Sequence, residues 1–262
     1  VLALSATGVV VAVIVALVVV RAVGGSATAA PGAAGAVPAS AYTELASVPV
    51  AELRAAAHGV RLTSDGGAYP KAVDGPAYTV GGKPGVLYLG AEYCPYCATE
   101  RWPLVVALAK FGTFTGLHFI HSDNNPSETY RQVPTLSFYG ATYTSRYLAL
   151  TTVEEATVSG TTLQRPTAAE NGLASRYDPG ASIPFVYLDG TATIVGAEYD
   201  PGLLVGTSPA GVAAEIGDGT APLASEVDAD AGVIVSDLCR ATGGQPGSVC
   251  RAFPSPVSGA TT

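Results

Sequence analysis

The 262-residue chain contains no methionine and little charge, so further residues are expected to precede Val1. Charged residues make up 13% of it, about half the usual share of roughly 25% in soluble proteins. Lysine occurs only at Lys71, Lys83 and Lys110, and the 13 Lys and Arg are scattered among 21 Asp and Glu, for a net charge of −8. A nucleic-acid surface needs clustered cations against phosphates, and an anionic lipid surface needs a polybasic stripe, so both are excluded. Glycine and proline, at 31 and 19, fall short of collagen-like or low-complexity composition. A hydrophobic share of 48% suffices for a sizeable core and excludes wholesale disorder. No repeat of solenoid period occurs.

What is present begins with an apolar run. Val1 to Val20 carries no charge and Arg21 ends it; twenty helical residues span about 30 Å, the thickness of a bilayer's hydrocarbon core. Ala27-Thr28-Ala29 resembles a signal-peptidase site, but the run exceeds the usual signal h-region of about 7–15 residues. The expectation is an uncleaved anchor through the lipid bilayer over residues 1–23, an uncharged Ala/Gly/Pro tether over 24–41, and a folded domain over 42–262.

Within that domain a short helix is expected from Pro49 to His58, closed by Gly59. An apolar strand follows at Pro84–Gly90, then a helix over Pro95–Phe111, a break at Gly112–Gly116 and a second strand at Leu117–His121. This β–α–β alternation implies an α/β fold with parallel strands covered by helices. Residues 122–166 read as an insertion with two strands, Thr135–Tyr139 and Tyr143–Leu150. Thr167-Ala168-Ala169-Glu170 has capping-box spacing, and Asp189-Gly190 is a hairpin signal before a return strand at Thr191–Ala197. Helical sequence at Ser208–Ile216 and a C-terminal helical extension over 217–262 complete the pattern.

The chemistry-bearing motif is Cys94-Pro95-Tyr96-Cys97. A cysteine at a helix N-terminus meets unpaired N–H groups and the positive end of the dipole, which stabilise a thiolate. A thiolate attacks disulfides, and a cysteine three residues on can resolve the mixed disulfide. Zinc also uses this spacing, but the remaining pair, Cys239 and Cys250, lacks the short spacing of a second half-site. Haem attachment requires histidine where Ala98 stands. A purely structural disulfide is the simpler alternative. Cys239 and Cys250 flank the turn-rich Gly243-Gly244-Gln245-Pro246-Gly247 and read as a structural disulfide, which by loop-closure arguments contributes about 3 kcal/mol.

Tyr88 to Cys97 resembles the active-site segment of thioredoxin-fold proteins, in which a strand ends in an Ala-Glu-aromatic-Cys sequence. The Pro-Tyr dipeptide is that of glutaredoxins and of some periplasmic disulfide isomerases. Ala174-Ser175-Arg176-Tyr177 followed by Ser182-Ile183-Pro184-Phe185 is similar to the stretch entering the thioredoxin cis-proline loop. Together these cover roughly 84–121 and 167–216. The run through Glu100-Arg101-Trp102 also resembles a group of membrane-anchored actinobacterial and archaeal thioredoxin-like proteins defined by a domain of unknown function. One departure is Tyr88, where classical thioredoxins carry a buried aspartate that moves a proton. It tells against a thioredoxin-like reductase and less against an oxidant or isomerase. Val133-Pro134 competes with Ile183-Pro184 for the cis-proline position, and the capped helix ahead of Pro184 favours the latter.

The resemblance implies a thioredoxin-like sheet flanked by helices, with Cys94 attacking, Cys97 resolving and Pro184 shaping the substrate groove. Pro95, Tyr96 and Ile183 would bind an extended peptide, Ile183 through its backbone. Expected partners are protein thiols and disulfides and a membrane redox partner; no cofactor, metal or nucleic acid is expected. Two cysteine pairs fit an oxidising, extracytoplasmic compartment. The alternative is a non-catalytic accessory subunit of a membrane complex. His118 and His121, at odd separation on one strand, point to opposite faces and do not form a metal pair. Trp102 reads as core, and Glu92 as either a proton carrier or a solvated strand-end carboxylate.

Overall fold

A computed structural model describes residues 35–59 and 70–253. The expected membrane segment 1–23 and the tether up to residue 34 lie outside the described residues, among which no helix is long and apolar enough to cross a membrane.

The domain is mixed α/β. In chain order its elements are β1 (Gly35–Ala36), α1 (Ala39–Ser47), α2 (Val50–Gly59), β2 (Lys71–Ala72), β3 (Thr79–Val80), β4 (Lys83–Gly90) and α3 (Pro95–Leu108). Then come β5 (Gly112–Thr115), β6 (His118–His121), β7 (Pro134–Ser137), β8 (Thr142–Ser145), β9 (Ala149–Glu154) and α4 (Ala168–Tyr177). The chain ends with β10 (Phe185–Leu188), β11 (Ala192–Val195), a 3-10 turn at Pro201–Leu203, α5 (Pro209–Asp218), α6 (Pro222–Ala241) and α7 (Gly247–Cys250).

β4 is central to the main sheet. It pairs antiparallel with β10 on one edge and parallel with β9 on the other, and β11, β2 and β3 complete the six strands. Val86 to Gly90 is buried throughout, as expected of an almost wholly apolar strand covered on both faces. Val86 and Tyr88 face one core, shared with α3, α5 and α6; Leu87 and Leu89 face another, against Phe185, Tyr187 and the apolar stripe of α4. α4 carries the capping box in full: Thr167 Oγ1 accepts from Glu170 N at 3.3 Å, and Glu170 Oε2 accepts from Thr167 N at 2.6 Å.

Five expectations change. Residues 35–41, assigned to the tether, belong to the packed domain: Gly35 and Ala36 pair with Phe119 and His118, and Ala41 is a buried residue of α1. Small residues without charge suit a linker, but they also suit a close edge pairing, and composition does not separate the two. The strand His118–His121 is not the parallel partner of β4; it lies between β1 and β7 in a separate antiparallel sheet. The parallel partner is β9, so residues 122–166 are not simply an insertion but include a strand of the main sheet. The expected strand Tyr143–Leu150 accordingly divides, its first part pairing as β8 with β5, and the expected break at Gly112–Gly116 is that β5 strand. β-branched and aromatic residues mark strands but not their partners.

α3 continues through Pro103, which has no N–H to offer the Thr99 carbonyl. Tyr199 fills that place, its hydroxyl donating to Thr99 O at 2.9 Å. The expected core role of Trp102 is met: it is fully buried and its Nε1 donates to Pro134 O at 3.1 Å. α6 approaches α2 so closely that a Cβ on Gly232 would fall 2.2 Å from Leu53 O. Glycine to alanine inside a helix ordinarily stabilises by about 1 kcal/mol. Here Gly232→Ala should instead destabilise by about 1–3 kcal/mol through overpacking, read as a lowered denaturation midpoint.

A second expectation concerns pH. Glu100 on α3, Glu198 after β11 and Asp230 on α6 are buried together, and no other described group hydrogen-bonds their carboxyls. Burial is the main cause that lifts all three, Glu198 to about 11 and Asp230 from 3.8 to about 8, and their mutual proximity adds to it for Glu100 and Glu198. The folded state thus holds protons that the unfolded chain releases above the ordinary carboxyl range, so stability falls as pH rises. Denaturation between about pH 5 and pH 8 should show this decline, with each group contributing at most about 1.4 kcal/mol per pH unit; Glu198→Gln should flatten it.

Candidate active site

The strand β4 delivers its chain end into a short turn, Ala91–Cys94, and the helix α3 begins immediately after. Cys94 is the N-cap, with φ −75° and ψ 124°, and Pro95 occupies the first helical turn, where its missing N–H is harmless. Cys94 Sγ takes the part of a capping oxygen, accepting from Cys97 N at 3.2 Å. Both cysteines are free thiols, Cys94 5% exposed and Cys97 not at all.

The register of the sheet brings the second segment here. Phe185 sits opposite Leu89, so Pro184 and Ile183 continue past the end of β4 toward the cysteine turn. The Ile183–Pro184 bond is cis, and Cys94 Sγ lies 3.6 Å from Ile183 O, to which its thiol donates. Asp178 holds the approach, accepting from Gly180 N at 3.1 Å and also from Ser182 N. Asp189 and Gly190, at φ 40° and 79°, form the tight turn between β10 and β11. The Val133–Pro134 bond is trans; Pro134 starts β7, its carbonyl accepting from Trp102 Nε1 at 3.1 Å, and Thr135 Oγ1 beside it donates to Ala98 O at 2.7 Å.

Of the residues singled out from sequence, Cys94, Pro95, Cys97, Ile183 and Pro184 therefore meet at one place. Pro95 and Pro184 are buried, and Ile183 half-buried. Tyr96 is exposed above them and makes an edge-on contact with Tyr130, ring centroids 6.2 Å apart. Cys239 and Cys250 belong to another region: they are joined as a disulfide between α6 and α7, with Cα atoms 5.4 Å apart. Glu92 accepts from Ser137 Oγ at 2.6 Å. His118 is exposed and His121 half-buried, and among the described residues no group of His, Cys, Asp and Glu is arranged to hold a metal.

Two residues without an assigned role underlie the site. Arg101 and Glu154 form a fully buried ion pair: Arg101 Nε and Nη2 donate to the two carboxylate oxygens at 2.9 and 2.7 Å. Arg101 Nη2 also reaches Ala91 O at 2.8 Å, tying the pair to the cysteine turn. Tyr88 lies beneath, its ring centroid 5.8 Å from the guanidinium. Its hydroxyl occupies the space that a Cβ on Gly90 would need, 2.3 Å away. The available signal was an arginine one turn after Cys97 on a helix due to be buried, but its partner, Glu154, required the strand pairing to be known.

Electrostatics separates the two thiols. Cys94 is pulled below the ordinary thiol value of 9.0, chiefly by a hydrogen bond from Cys97, aided by backbone N–H groups of the helix start and by Arg101, against the cost of burial. Cys97 is pushed well above it, first by burial and then by its bond and proximity to Cys94. The arrangement can therefore present one nucleophilic sulfur at the helix start and keep a second, deeper one in reserve. A short alkylation pulse near neutral pH should modify Cys94 at least about tenfold faster than Cys97. The Cys94 rate should rise with pH and level off below 9.0, while Cys239–Cys250 stays closed under mild reductant. Equal labelling of Cys94 and Cys97 would contradict this separation.

Residues 69–179 match a family model described as Domain of unknown function (DUF929), less than half of the 262-residue chain. The match takes in Cys94, Cys97, Arg101 and Glu154 and ends before Ile183 and Pro184. No curated protein and no solved structure compared with the chain matches it.

Proposed function

We propose that this chain is a thioredoxin-like thiol–disulfide oxidoreductase acting on protein substrates, tethered outside the cytoplasm by residues 1–23. The observation that carries the reading is the unequal pair of thiols at a strand-to-helix junction, with the Ile183 carbonyl set against Cys94. The order of elements around it supports the thioredoxin-like part: β4, α3, the parallel strand β9, α4, the β10–β11 hairpin and α5.

Cys94, as thiolate, would attack a substrate disulfide, and Cys97 would then displace the substrate. Tyr93 and Tyr96, 37% and 44% exposed on either side of Cys94, suit contact with a polypeptide more than with a small polar thiol. A membrane redox partner would restore the pair to its working state. As the pair needs only sulfur chemistry, no cofactor enters.

The test uses the full chain. In Cys97→Ser the mixed disulfide has no resolving thiol, so covalent complexes with proteins, released by reductant, should accumulate; Cys94→Ser should abolish them. In glutathione buffers the wild-type protein should show one two-electron transition assigned to Cys94–Cys97. Absence of both results would leave the non-catalytic accessory role in its place.

A further inference from the structure

The displacing step sets a problem. Cys97 has no exposed surface, and burial disfavours its thiolate, yet Cys97 must act as a nucleophile to free the substrate. Two carboxylates of this region are already engaged. Glu154 Oε1 accepts from Arg101 Nε and from Phe138 N, and Oε2 from Arg101 Nη2. Glu92 is bound by Ser137. The Tyr88 hydroxyl is held well above its ordinary 10.0 by burial and is no proton acceptor.

One charge remains. Arg101 follows Cys97 by four residues on α3, so the two side chains share a helix face. Arg101 Nη2 also binds the carbonyl of Ala91 at 2.8 Å, where the turn that carries Cys94 begins. Nε and Nη2 are fully engaged, but Nη1 is buried with no hydrogen-bond partner among the described residues. Such groups are rare in proteins and ask for an explanation. Arg101 acts electrostatically on both sulfurs, favouring the thiolate of each.

We propose that Arg101, fixed by Glu154, is the positioning charge of the resolving step, its free Nη1 edge stabilising the Cys97 thiolate as it forms. This rests on the redox reading above. In the step, Cys97 gives up its proton and its sulfur attacks Cys94 Sγ in the mixed disulfide. The Cys94–Cys97 bond forms as the bond from Cys94 to the substrate sulfur breaks. That sulfur leaves with the electron pair and takes up a proton, so the protein thiols are oxidised and the substrate disulfide reduced by two electrons. Run backwards, the same step oxidises a substrate dithiol.

The experiment separates charge from structure. In full-length Cys94→Ser protein, Cys97 is titrated alone by thiolate absorbance, with and without the paired change Arg101→Met/Glu154→Leu, which leaves no unpaired buried charge. The paired change should raise the Cys97 titration midpoint by at least about one unit, a tenfold smaller thiolate fraction. With both active-site cysteines present, release of glutathione from a preformed mixed disulfide should slow about tenfold near neutral pH, the deficit shrinking as pH rises. Arg101→Lys should recover part of the rate. Where the apolar pair does not fold, Arg101→Gln/Glu154→Gln removes the charges and keeps the hydrogen-bonding shape. An unchanged Cys97 midpoint in a folded charge-free variant overturns the proposal. A shifted midpoint in a protein that forms no mixed disulfide with oxidised glutathione overturns the redox reading and the resolving role with it, but leaves the charge effect on Cys97 standing.

Discussion

The Arg101–Glu154 pair is the contact on which the arrangement of the domain turns, because it couples the three parts that meet below the cysteines. Arg101 belongs to α3, Glu154 ends β9 in register with Gly90 of β4, and Ala91 opens the turn that carries Cys94. Burying two charges costs several kcal/mol per ion, and only good geometry with further hydrogen bonds offsets it. Both conditions hold, since the pair is bidentate and Glu154 also accepts from Phe138 N at 3.3 Å. Loss of either partner would leave an uncompensated charge at a cost of about 3–5 kcal/mol. The pair thus ties β9, α3 and the turn after β4 together below the cysteines.

The same pair shapes the electrostatics of the site. Near the surface, the start of α3 supplies backbone N–H groups to Cys94. One turn deeper that supply ends, and Cys97 is left to burial and to whatever fixed charge the core contains. A thiol pair in water would have two nearly equal members. Here the difference between them comes from position along one helix, which is why a four-residue motif can carry two separate tasks.

The second buried ionisable group has the opposite character. Glu100, Glu198 and Asp230 stand between α3, α6 and the segment after β11 with no cation paired to them among the described residues, and they remain together by retaining protons. Arg101 and Glu100 are neighbours in sequence but face different layers, one toward the sheet and the other toward α6. The disulfide Cys239–Cys250 fastens the far end of α6, so the helix that covers the carboxyls is anchored independently of the thiol pair.

Local chemistry made part of this legible from the chain alone. The helix start at Cys94-Pro95, the capping box at Thr167–Glu170 and the turn at Asp189-Gly190 depend on residues within a few positions of one another, whose preferred backbone angles and hydrogen bonds act wherever the segment lies. The mixed α/β architecture follows from the alternation of apolar strands with helices. What required the tertiary structure was partnership over distance. Two segments, His118–His121 and Ala149–Glu154, are both rich in strand-forming residues, and pairing rather than propensity made the second the neighbour of β4. Gly35 and Ala36 became an edge strand because β6 offered them an open side. Arg101 met Glu154, 53 residues away, because that strand pairing set them face to face. The unequal thiols arose likewise, since a motif lists which groups can ionise, whereas burial and the nearest charge decide which of them does.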